Sequence, residues 1–97
     1  MDDLRYLQVI GCNVQTARRA CGLTQECLAE LVEIHWKTLG SIERGKYPFS
    51  VVTFARLCQH LEIGPEKLFE GIPGPDVRRA GRIRKALARK RRAGGVK

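Results

Sequence analysis

No stretch of this chain approaches the roughly 18 consecutive apolar residues that a membrane-spanning helix needs, and no run alternates strictly enough to read as a strand. Aromatic residues make up only 6% of the 97 residues, with a single tryptophan, so aliphatic side chains have to build the core. The cysteines Cys12, Cys21, Cys27 and Cys58 contain no pair at the C-x-x-C spacing of a zinc knuckle, and His35 and His60 stand apart, so no metal site is expected. Buried thiols acting as small hydrophobes are the simplest reading, Cys21 falling on the apolar face of its helix, with a redox role left open at Cys27. No Ser/His/Asp order, carboxylate pair or phosphate-cradling glycine loop stands out, which argues against an enzyme and against a cofactor. The amino terminus begins Met-Asp-Asp-Leu and lacks the basic and apolar regions of a secretory signal, so the expected address is the cytoplasm.

Acidic residues are also scarce in one place. Residues 76–97 hold ten Lys or Arg and one Asp, a net of +9, whereas residues 1–75 hold eight Lys or Arg and nine Asp or Glu, a net of −1. The whole basic excess therefore lies in the last 22 residues. Pro73-Gly74-Pro75 separates the two parts, which predicts a near-neutral domain over 1–72 and a basic arm over 73–97. The arm carries Arg78, Arg79, Arg82, Arg84, Lys85, Arg89, Lys90, Arg91 and Arg92. Asp76 can cap a helix there, with Val77, Ala80, Ile83 and Leu87 in a thin stripe. An isolated helix crowded with like charges is marginal in water, so a partly helical or disordered arm is expected, ordering against a polyanion or a partner.

What the domain does contain is helical spacing. From Leu4 onward, apolar residues recur at Leu7, Ile10, Val14, Ala17 and Cys21 in a 3–4 alternation, which Gly22 ends. Thr24 can cap a second helix with Leu28 and Leu31 inward, and the turn Val32-Glu33-Ile34 follows. His35 to Arg44 read as a third helix with Leu39 and Ile42 inward and Gly45 as its stop. Ser50 caps a fourth with Val51, Phe54, Ala55, Cys58 and Leu61 on one face. Gly64-Pro65 opens a short fifth ending near Gly71. The fold class expected is all-α: a compact five-helix domain with a basic C-terminal tail.

Residues Thr24 to Gly45 thus spell two short helices joined by a three-residue turn, the second with a polar outer face. Placing that second helix in the DNA major groove is the leading use of such a unit. The segment from Ile10 to about Gly71 resembles the phage-repressor (Cro/C1-type) helix-turn-helix family. The matching pieces are Ile10-Gly11…Val14…Arg18, Gly22-Leu23-Thr24-Gln25…Leu28-Ala29-Glu30 and Ile42-Glu43-Arg44-Gly45-Lys46, followed by Phe54…Leu57…Leu61-Glu62-Ile63. Leu28, Ala29, Ile34, Leu39 and Ile42 are the residues expected to pack the two helices together.

The resemblance implies roles. Thr24 and Gln25, at the start of the second helix, are assigned to phosphate contact. Trp36, Lys37 and Ser41 are assigned to base contact: Lys37 can donate to guanine, and Ser41 can serve either partner. Trp36 is read as packing on a sugar–phosphate ridge or a thymine methyl, or else covering the core. Thr38, Arg44, Lys46 and Tyr47 are assigned to phosphate contact. Arg18 and Glu43 are expected to form a structural ion pair between the first and third helices. Two residues depart from the family pattern: Glu33 stands where glycine is favoured, and His35 where a Ser or Thr cap is common. The implied function is a sequence-specific regulator of transcription, a nucleoid-associated homodimer on palindromic double-stranded DNA with half-sites about 34 Å apart. The other class implied is an antitoxin or bridging module that grips a protein partner, a toxin or the transcription machinery, with nucleic-acid affinity residing in the arm.

Overall fold

The computed structural model describes residues 2–73 and 77–93, the side chains of Val77, Ala80 and residues 91–93 excepted. Asp76, the expected cap of the arm helix, lies outside the described residues, as do Gly74 and Pro75. Six helices follow in order: α1 (Asp3–Ala20), α2 (Gln25–Leu31), α3 (Trp36–Glu43), α4 (Val51–Leu61), α5 (Pro65–Leu68) and α6 (Val77–Ala93). The described residues are all-α, and none of their helices is long and apolar enough to cross a membrane.

Local chemistry sets most boundaries. The α1 helix begins at Asp3, where the Asp2 side chain caps it by accepting the Arg5 backbone N–H at 2.9 Å. Thr24 caps α2 by accepting from the Cys27 N–H, and Ser50 caps α4 by accepting from the Thr53 N–H, both at 3.1 Å. Pro65 sits at the first position of α5, where its missing N–H costs nothing.

The core is aliphatic. Val14, Leu28, Ala29, Val32, Leu39, Leu57, Leu61 and Leu68 form one buried cluster, flanked by Ile10, Ala17, Leu23, Ile34, Phe49, Phe54, Cys58 and Ile63. Four inward assignments need correction. Leu31 is exposed and Val32 is buried in its place, because α2 ends at Leu31 and the chain turns inward one residue later. On α4, Val51 and Ala55 face solvent, and Leu57 is the fully buried residue beside Leu61. The helix has more apolar residues than its buried face accommodates. Cys21 is exposed because it lies beyond the last turn of α1, and Cys12 and Cys27 are exposed as well. Cys58 alone is half-buried, where desolvation, aided by the Glu66 carboxylate, pushes its thiol pKa up.

Two glycines let α1 and α3 approach closely. A side chain at Gly11 would collide with the Ile42 carbonyl and come within 2.8 Å of the Glu43 carbonyl oxygen. Gly45, with φ +72°, ends α3 against the backbone of Gln8, 2.6 Å from where a Cβ would stand. At the other end of the domain, the Asn13 amide donates to the carbonyls of Leu68 and Glu70, each at 2.8 Å, and ties the α5 segment to α1.

Residues 77–93 form one continuous helix, where the residue pattern left an arm that was partly helical or disordered. Its Ala, Leu, Arg and Lys content favours helix strongly enough to supply the local reason. Ile83 and Leu87, in the apolar stripe, remain about half exposed.

Candidate nucleic-acid interface

The residues of interest lie on α3, and three of them are consecutive in space as well as in sequence. His35 occupies the N-cap, and its Nδ1 accepts the Lys37 backbone N–H at 3.1 Å. The imidazole thus does what a Ser or Thr hydroxyl would do there, and the helix start is properly capped. The same ring stacks on Trp36, with centroids 5.8 Å apart and planes 26° from parallel. Lys37 Nζ lies over the indole, 5.7 Å from its centroid. Trp36 itself is 45% exposed, so it does not serve as a cover for the core.

The rest of the outer face follows from the helix period. Ser41 is half-buried and accepts a hydrogen bond from Arg44 Nη2 at 3.4 Å. Thr38 lines a shallow groove of about 210 Å³ with Tyr47, Pro48 and Phe49. Lys46 and Tyr47 are exposed just beyond the helix, with the Lys46 N–H donating to the Ser41 carbonyl at 2.9 Å. The structure therefore brings Trp36, Lys37, Thr38, Ser41, Arg44, Lys46 and Tyr47 onto α3 and the loop that leaves it.

Behind this face a polar network holds α3 in place. Arg18 Nε donates to Glu43 Oε2 at 2.7 Å and Arg18 Nη2 to Glu43 Oε1 at 3.1 Å, a bidentate pair buried at both ends. The remaining donor, Arg18 Nη1, reaches the Leu23 carbonyl at 2.8 Å. Gln25 completes the set, its Nε2 donating to Glu43 Oε1 at 3.0 Å. Its amide nitrogen is thus committed to the interior, joining α2 to α3, a role that the residue type alone did not signal. Among the described residues, no buried side-chain nitrogen or oxygen lacks a partner.

Thr24 is exposed at the start of α2, its hydroxyl already capping that helix. Two stabilising contacts were not legible beforehand: the Asn13 clamp, and an exposed ion pair between Arg56 of α4 and Glu33 of the turn, 3.4 Å apart. The turn is as tight as the motif requires, with Glu33 at φ +62°. Along α6, Arg78, Arg79, Arg82, Arg84, Lys85, Arg89 and Lys90 are exposed, and the side chains of Arg91 and Arg92 lie outside the described residues.

Two helices joined by a tight turn in which Glu33 is left-handed, the second fixed from behind and exposed in front, match the family model of a helix-turn-helix domain over residues 9–69. The chain belongs to that family. Its helix-turn-helix unit is of the phage-repressor type, as solved structures also indicate. The restriction-modification controller protein C.AhdI from Aeromonas hydrophila is 36% identical, with a TM-score of 0.62 covering 65% of this chain and 96% of that one. An HTH_3 family transcriptional regulator from Vibrio cholerae is 25% identical, with a TM-score of 0.66 covering 74% of this chain and 40% of that one. The clp gene regulator ClgR from Corynebacterium glutamicum, 21% identical, shares the fold over 94% of this chain and 89% of its own, with a TM-score of 0.64. No curated protein matches the chain.

Proposed function

We propose that this helix-turn-helix protein is a sequence-specific, double-stranded-DNA-binding regulator of transcription. The observation that carries this reading is the outer face of α3. An indole and an ammonium stand exposed at the end of the helix that reaches base edges in such motifs, while a buried ion pair fixes the other end. On this reading Trp36, Lys37 and Ser41 meet bases, and Thr24, Thr38, Arg44, Lys46 and Tyr47 meet phosphates. Gln25 contributes by holding α2 against α3, with its backbone N–H in the first turn of α2 left to meet a phosphate. The exposed cations of α6 add phosphate contacts that carry no sequence information.

A homodimer belongs to the same proposal. Val51 and Phe69 are exposed at an apolar groove of about 400 Å³ that Leu7, Ile10, Phe49 and Phe54 also line. An apolar surface of that kind favours association. It equally suits the second reading, an antitoxin or bridging module in which a toxin or the transcription machinery covers the groove and α6 alone holds nucleic acid.

Selection of bound duplexes from random DNA, at two salt concentrations, separates the two. A regulator returns a defined, two-fold symmetric site, and Lys37→Ala changes the preferred base at one position of each half-site. Uniform recovery of all sequences, unchanged by Lys37→Ala, rejects the regulator reading in favour of the bridging one.

A further inference from the structure

The wedge formed by His35, Trp36 and Lys37 is more ordered than an exposed segment needs to be. Three neighbouring residues engage one another through a cap hydrogen bond from the Lys37 backbone, a ring stack and a cation over a ring face. The indole they hold remains 45% exposed. Keeping a large apolar ring in water is unfavourable unless a ligand covers it.

The chemistry of the ring restricts what it can read. Indole offers one N–H donor and no acceptor, so it cannot make the bidentate contacts that distinguish base pairs by hydrogen bonding. The apolar group that a base pair displays in the major groove is the C5 methyl of thymine. Insertion between base steps is a device of minor-groove binders and does not suit a helix lying in the major groove. Lys37 Nζ lies 5.7 Å from the indole centroid, so its acceptor belongs to the same base pair as the methyl or to an adjacent one.

We infer that Trp36 is a specificity-determining residue that reads a pyrimidine C5 methyl group beside the guanine bound by Lys37. This rests on the reading of the protein as a DNA-binding regulator and deepens it. His35 acts as a positioning residue, setting the helix start and the face of the ring. Cytosine methylated at C5 presents the same group in the same groove, so it substitutes for thymine at the methyl contact.

The test uses the full chain and the site recovered by selection from random DNA. Each thymine of a half-site is replaced in turn by uracil, which lacks only the methyl, and binding is followed by fluorescence anisotropy. One replacement is expected to weaken binding about fourfold, the effect of one buried methyl group. With Trp36→Ala the thymine and uracil duplexes bind alike, whereas Lys37→Ala retains the methyl dependence and loses the guanine preference. Circular dichroism verifies that both variants fold. The inference is overturned if no thymine is sensitive, or if Trp36→Ala keeps the sensitivity. Equal weakening of all sequences by Trp36→Ala would place the ring on the sugar–phosphate backbone and overturn it too. Failure of the selection to return any preferred sequence rejects the regulator reading itself, and this inference with it.

Discussion

Glu43 is charged and its side chain is only 1% exposed, a combination that is tolerable only because every part of the carboxylate is engaged. Replacing it by glutamine leaves the Arg18 guanidinium buried without a countercharge. Glu43→Gln is therefore expected to cost about 3–5 kcal/mol, measured by urea denaturation. A double variant, Arg18→Met with Glu43→Leu, should lose less than the sum of the single changes, because neither partner is left stranded. At Cys58 the expected effect is on reactivity. Its raised pKa leaves less thiolate near neutral pH, so iodoacetamide should label Cys12 and Cys27 well before Cys58, with labelling of Cys58 catching up as pH rises. Equal rates at all positions would contradict the burial described. The ion pair was legible because Arg18 and Glu43 stand at family positions. The Gln25 contact was not, since an amide at a helix start is equally suited to a phosphate, to water or to a neighbouring carboxylate.

At the scale of elements, the turn between α2 and α3 carries the clearest cost. Glu33 holds a left-handed conformation, φ +62°, in which a Cβ is unfavourable. Glu33→Gly should raise stability by up to about 1 kcal/mol, seen as a higher thermal midpoint. Losing the exposed contact with Arg56 offsets little of this, because surface ion pairs are weak. A lower midpoint would mean that the ion pair outweighs the backbone strain. Glu62 adopts the same conformation, φ +55°, at the end of α4, and no residue pattern announced it. Helix order, caps and most of the core were readable because Thr24, Ser50, Gly22 and Gly45 act locally. The inward faces of α2 and α4 were misjudged by a residue or a turn. Leu31 and Val32 are both apolar, as are Val51, Ala55 and Leu57, and only the packing of other helices decides which of them is covered. The Asn13 clamp joins residues 55 and 57 positions apart, beyond the reach of local pattern.

For the whole molecule, the separation of charge matters more than its total. With a net of −1 in residues 1–75 and +9 beyond, the two parts respond differently to salt. If four to six cations of the arm meet phosphates, truncation after Pro75 should flatten the dependence of log affinity on log salt by roughly 4–5 units, each phosphate contributing about 0.9. The sequence preference should survive. Equal slopes with and without residues 76–97 would remove the arm from the interface. Inside the domain, the attachment of α3 is lopsided. Gly11, Gly45, Arg18 and Gln25 all grip the half of the helix that ends at Glu43, and the wedge at its other end leans on its own neighbours in sequence. On the proposed reading, foldability and operator choice therefore rest on different residues. If Trp36, Lys37 and Ser41 read the bases as proposed, exchanging them redirects the protein to new DNA while leaving the buried network that holds α3 intact, so a duplicated copy can diverge in its targets while passing through no unfolded intermediate sequence.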